Sequence, residues 1–211
     1  MKDRYVHIRY MAANYSRLQG LRTLPIGILL IYVSIWSMYN QGPTADLGAP
    51  ILVAIAAALL YWVTDRYYNR VFGQVKPSSG SRKSELIVSV ILGVLAFLAF
   101  VLDTARVLPI NALGLVFAVC FLEYLWRTNR SEWKKVFLFF PENIAAAALL
   151  TIISILPLFG ISVWEAIGIR WQVVGVLMTV GIVVIITGIW GHIRMTRALS
   201  TREAGSNDIT L

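Results

Sequence analysis

The sequence predicts an all-α fold: a polytopic membrane protein of six transmembrane helices arranged as three hairpins, N-in and C-in. Three observations predict it. Hydrophobic residues make up 58% of the chain and charged residues 14%, with a mean hydropathy of +0.70, whereas a soluble domain carries about a quarter of its residues as charges. Six uncharged stretches lie between Arg22 and Asp46, Asp46 and Asp65, Glu85 and Asp103, Arg106 and Glu123, Glu142 and Glu165, and Arg170 and His192. Each is close to the roughly 17–25 residues that cross a bilayer core as a helix. Finally, 17 of the 19 Lys and Arg residues fall in four stretches that alternate with these runs.

The solvent dictates helix, because a lipid-exposed backbone must satisfy its own hydrogen bonds. A membrane barrel would show shorter, alternating segments. Helices are expected near residues 24–40, 49–68, 85–103, 107–127, 143–163 and 171–195. The first run follows a basic lead, as in a signal peptide. That lead is long, however, and the run ends in bulky Trp36 and Tyr39 where small residues would be needed. It is read as a retained span. Pro157 falls within the fifth run and predicts a kink there.

The connections then set the orientation. Basic residues crowd the N-terminal segment (Lys2, Arg4, Arg9, Arg17, Arg22), the second-to-third connection (Arg66, Arg70, Lys76, Arg82, Lys83), the fourth-to-fifth (Arg127, Arg130, Lys134, Lys135) and the C-terminal stretch (Arg194, Arg197, Arg202). The other connections hold only Arg106 and Arg170. The positive-inside rule places both termini in the cytoplasm. Residues 1–23 form a basic segment, amphipathic if helical, on the inner surface. Residues 24–195 form the transmembrane domain, and residues 196–211 a flexible tail. Lys76–Ser84, rich in Ser and Gly, reads as a loop. The short outer links Gln41–Gly48, Thr104–Arg106 and Glu165–Arg170 make consecutive helices antiparallel neighbours. Trp36, Tyr39, Trp164 and Trp171 on one side, and Trp62, Tyr67, Tyr68, Trp126, Trp133 and Trp190 on the other, read as headgroup anchors. Small residues, among them Gly175, Gly181 and Gly188 of the sixth run, offer close helix packing.

Ionisable groups within or near the bilayer are the best pointers to function in such a chain. Asp65, Glu123 and His192 each lie about a turn inside the cytoplasmic ends of the even-numbered helices. If the hairpins pack together, the three would line one polar vestibule able to exchange protons. The alternative is local satisfaction: Glu123 by Arg127, and Asp65 by Asn69, each four residues on. At the outer side Asp103, Arg106, Asn111, Glu165 and Arg170 are the candidates for a solute mouth. Pairing of Asp103 with Arg106, and of Glu165 with Arg170, is the alternative there.

The motifs narrow the function. The chain has no HExxH, GxSxG or Walker loop, no clustered Cys or His, and only two histidines, His7 and His192. No catalytic residue, metal site or cofactor is therefore expected, and an intramembrane enzyme ranks last. The basic residues flank apolar runs, so they signal membrane orientation and not nucleic acid. The expectation is a transport or channel component in a plasma membrane, of bacterial inner-membrane type. It would work with a protein partner, or as a homo-oligomer, through its cytoplasmic face. A non-transporting scaffold or sensor subunit is the alternative. In architecture alone the chain is similar to the small substrate-capture subunits of vitamin importers and to small export permeases; both of those work with a separate ATPase.

Overall fold

A computed structural model of the chain describes residues 20–40, 48–71, 79–128, 141–166 and 168–204. Among them it is all-helical. We label the long helices α1 (Leu24–Tyr39), α2 (Gly48–Val71), α3 (Ser79–Thr104), α4 (Ala112–Thr128), α5 (Pro141–Ile155) and α6 (Gln172–Ala204). A 3₁₀ turn, Gly20–Arg22, leads into α1, another, Leu156–Phe159, follows α5, and a one-turn helix, Val163–Ala166, precedes α6. Five of the helical segments are long and apolar enough to cross a membrane, which is compatible with a multi-pass membrane protein. The fourth falls short, since its apolar part spans only Ala112–Glu123. The predicted basic segment 1–23 lies outside the described residues up to Gln19, as do residues 129–140 and the last seven residues.

Four predicted boundaries move. The fourth helix starts at Ala112 and not at 107, because Pro109 cannot continue a helical hydrogen-bond ladder and α4 takes its N-terminal cap from Asp103 (below). Pro157 ends the fifth helix instead of kinking it. The α-helix stops at Ile155, the Pro sits at the start of the 3₁₀ turn, and Gly160 closes it with φ +74°. The predicted loop Lys76–Ser84 is helical from Ser79, and α6 runs on to Ala204 where a tail was expected. In both cases the polar residues extend a helix beyond its apolar span. The 26 residues of α3 measure about 39 Å at 1.5 Å per residue, more than the ~30 Å hydrocarbon core.

The packing follows from α6. Val173, Val174, Val176, Leu177 and Val180 of this helix form the core with Leu113 and Ala118 of α4, Ala147 and Leu150 of α5, and Ala99 of α3. The other face of α6 lies against α1. There Gly27 and Gly181 face each other so closely that a Cβ on Gly27 would stand 2.9 Å from the Gly181 carbonyl oxygen, and one on Gly181 2.8 Å from that of Gly27. Seven residues away on each of the two segments, Gly20 meets Gly188 in the same way. Small residues permit this approach, and packing of this kind drives helix association in lipid.

The seam revises the three-hairpin arrangement. α1 packs on α2, and α3 on α4, as predicted, but α6 lies chiefly against α1 and α5 chiefly against α4. α2 and α3 are the peripheral helices. Ile51, Leu52, Ile55 and Leu59 on α2, and Leu86, Val90, Val94 and Phe97 on α3, are exposed. Surface this apolar matches lipid or another protein and not water. The aromatic residues also divide. Tyr39 and Trp62 are 84% and 54% exposed, as anchors should be, whereas Tyr68 is 0% and Trp164 8% exposed. Those two belong to the interior, because each packs against α6: Tyr68 on His192, and Trp164 on Gly175.

Candidate functional site

The polar residues gather at the two ends of the bundle. One end holds the N-terminus of α1 and the C-termini of α2 and α6. Here Arg22 forms an ion pair with Asp65, and Asn69 Nδ2 donates to the same carboxylate at 3.1 Å. The Arg22 guanidinium also lies 5.3 Å from the centre of the Tyr61 ring. One turn further along α2, Tyr68 Oη accepts from the Leu21 N–H at 3.3 Å and lies 2.9 Å from His192 Nδ1. Arg194 Nη2 donates to Glu142 at 2.9 Å and joins α6 to α5. Glu142 stands in the first turn of α5, where a negative charge is favoured by the helix dipole.

Two of the three predicted inner residues lie at this end without touching each other: Asp65 binds Arg22 and Asn69, and His192 binds Tyr68. Asp65 and His192 share one cluster through Arg22, Leu21 and Tyr68. Glu123 stands half-buried on α4, whose packing partners are α3, α5 and α6. No hydrogen bond or ion pair joins Glu123 to Asp65 or His192. The side chain of Arg127 lies outside the described residues. The sequence presents Tyr68 as a headgroup anchor, and nothing in its local sequence marks it as the hinge of this cluster.

The opposite end carries a pocket of about 170 Å³, lined by Asp103, Arg106, Leu108, Pro109, Ile110, Asn111, Pro157 and Gln172. Its walls are the end of α3, the 105–111 turn, the end of α5 and the start of α6. The volume is well below the ~300–1,000 Å³ of pockets for drug-sized ligands, so only a small molecule fits.

Asp103 accepts the backbone N–H groups of Ala112 and Leu113, both at 2.8 Å. It thus caps the first turn of α4 from the preceding helix. Arg106 reaches the other way: Nη2 donates to the Arg170 carbonyl at 3.1 Å, and the guanidinium lies 5.5 Å from the centre of the Trp171 ring. These commitments keep Asp103 and Arg106 from pairing with each other. Asn111 ties α4 to α5 through its N–H, which donates to the Ser154 carbonyl at 3.0 Å. Its side chain is buried, and Nδ2 has no protein partner; nor has the buried Ser154 Oγ behind it.

Three of the five predicted outer residues, Asp103, Arg106 and Asn111, thus line one pocket. Arg170 contributes its carbonyl to Arg106. Glu165 lies on the one-turn helix, exposed and outside the lining, and does not pair with Arg170. Gln172 was not predicted; it is an uncharged residue at a helix start, and only the fold brings it to the pocket. Among the described residues no three His, Cys, Asp or Glu side chains gather closely enough to hold a metal ion. Comparison of the chain with family models, with curated proteins and with solved structures finds no match.

Proposed function

We propose that this protein is a six-crossing membrane protein, both termini cytoplasmic, that admits a small polar solute at the outer end of its bundle as a component of a transport system. The observation that carries this reading is the pocket, whose lining brings together Asp103, Arg106 and the buried Asn111 with its unpartnered Nδ2. A sixth crossing by α4 is supported by the directions of its neighbours. α3 ends at the pocket and α5 begins at the other end, beside Arg194, so the chain must return along α4. Orientation is supported by the basic residues at the described helix ends, Arg22, Arg66, Arg70 and Arg194, which lie toward the Arg22–His192 end. The short links at the pocket end suit a bacterial inner membrane. The partner that supplies energy binds the cytoplasmic face.

One observation favours the second reading, a solute-sensing or scaffold subunit that does not transport. Beneath the pocket the bundle is filled by Leu150, Val173, Val176 and Val180, each buried. A solute would cross only if these helices moved. Two measurements separate the readings. Calorimetric titration of the purified protein with a panel of small polar solutes tests for the site; binding that survives Arg106→Gly places the solute elsewhere and refutes the reading. Uptake into proteoliposomes, with and without a co-purified partner, then distinguishes transport from sensing.

A further inference from the structure

We propose that the pocket at the ends of α3 and α5 and the start of α6 recognises a small zwitterion, one ammonium and one acidic group, with Asp103 and Arg106 as its two poles. The inference rests on the reading of this pocket as a ligand site and names its ligand class.

The first observation is the backbone at Arg106. Three helical segments at this end of the molecule close with the same turn. After α3, the Arg106 N–H donates to the Asp103 carbonyl and the Val107 N–H to that of Leu102, both at 3.2 Å. After α5, the Gly160 N–H meets the Pro157 carbonyl at 3.0 Å and the Ile161 N–H that of Leu156 at 3.2 Å. After the one-turn helix, the Gly168 N–H meets the Glu165 carbonyl at 3.0 Å and the Ile169 N–H that of Trp164 at 2.7 Å. This is the Schellman turn, whose closing residue is left-handed and usually glycine. Gly160 and Gly168 comply, with φ of +74° and +84°; Arg106, at +53°, is the non-glycine residue with positive φ among the described residues. A long cation held where glycine is favoured costs backbone strain, and strain of this kind collects at functional sites. The hydrogen bond to Arg170 is exposed and does not by itself account for an arginine there.

The second observation is the charge arrangement. Asp103 and Arg106 are three residues apart, opposite in charge and on one pocket wall, yet they do not pair. Asp103 has two accepted hydrogen bonds for about four lone-pair sites. Arg106 has one donated bond for its five N–H groups. Asn111 adds a buried amide with no partner, 1% exposed. A purely anionic ligand would meet the Asp103 carboxylate, offset only by the N–H groups of the first turn of α4, and a purely cationic one would meet Arg106. A zwitterion satisfies both poles, and the apolar wall of Leu108, Ile110 and Pro157 limits its side chain to a few carbons. Two sources supply this chemistry: a free short-chain amino acid, or the phosphoethanolamine headgroup of a bilayer lipid.

The test is calorimetric titration of the full chain in phosphatidylglycerol nanodiscs with glycine, L-alanine and L-proline, each against singly charged analogues, for alanine L-alaninamide and propionate. The expected result is saturable binding of at least one amino acid, weakened about tenfold or more in each analogue, and lost in Arg106→Gly, a variant whose turn keeps its preferred residue. If the amino acids compete with or are replaced by phosphatidylethanolamine doped into the discs, and that lipid's retention also depends on Arg106, the zwitterion assignment stands with a lipid source and the solute reading falls. An analogue that binds as well as its parent overturns the zwitterion assignment and leaves the solute reading intact. No binding by any amino acid, with no Arg106-dependent lipid retention, overturns both.

Discussion

The two ends of this bundle use the same residue types to opposite purposes. At the Arg22–His192 end, charges and hydrogen-bonding groups meet partners on other helices: Arg22 with Asp65, Tyr68 with His192 and Leu21, and Glu142 with Arg194. Each pair ties two elements together. At the Asp103–Arg106 end, Asp103 is taken up by the first turn of α4 and Arg106 by the Arg170 carbonyl, so the two opposite charges stay apart around a pocket; the buried Asn111 Nδ2 is left without a partner there, as Arg194 Nη1 is at the other end. Polar groups matched across helices hold a structure; those around the pocket are the ones we propose for a solute. Predicted charges near helix ends are the same signal in both places, and only the partner across the interface separates latch from site.

That contrast can be broken in several places. The largest effect is expected where neither end is involved but both depend on the result. Gly181→Leu would drive a side chain into the α1 backbone, where a Cβ already stands 2.8 Å from the Gly27 carbonyl oxygen. We expect a loss of about 3 kcal/mol or failure to fold, read by thermal denaturation in detergent; a stable variant would mean that α1 and α6 do not pack through this seam. Next is Tyr68→Phe, which leaves the Leu21 N–H and His192 Nδ1 without the phenol. A loss of about 1–3 kcal/mol is expected, with solute binding at the other end unchanged. Glu142→Gln removes one charge of a half-buried pair. It should cost about 1–2 kcal/mol, between an exposed and a buried ion pair, and the loss should shrink little in high salt if the pair is sheltered.

The smallest effect has the opposite sign. Arg106→Gly relieves a left-handed non-glycine residue and should gain up to about 1 kcal/mol, offset in part by the exposed bond to Arg170. Its mirror image, Gly160→Ala, should lose about 1 kcal/mol for the same reason. A melting temperature that falls in both variants would show that Arg106 is structural, and the contrast between the ends would weaken.

Much of this was legible in the chain. The uncharged runs mark α1, α2, α3 and α6 because lipid penalises charge wherever it occurs, and that penalty is local. Asp103, Arg106 and Asn111 stood out as polar groups at an otherwise apolar end, and they do share a pocket. What was hidden depends on distant residues. The start of α4 is set by a carboxylate on another helix, and hydropathy carries no trace of it. Pro157 signals a disruption, but whether it kinks or ends the helix depends on Gly160 three residues later. The α1–α6 seam joins residues about 160 apart in sequence, and glycines face lipid or protein with equal ease in a hydropathy profile. Tyr68 and Trp164 resemble the interfacial aromatics around them, and burial alone sets them apart.

The account turns on a separation of roles between the two ends. Ligand-induced thermal shift, measured with a binding amino acid on the unmodified chain, Tyr68→Phe and Arg106→Gly, tests it most directly. The predicted result is a double dissociation: Tyr68→Phe melts lower but keeps the full shift, whereas Arg106→Gly melts at or above the unmodified chain and shows none. A shift retained in Arg106→Gly, or abolished in Tyr68→Phe, would contradict it.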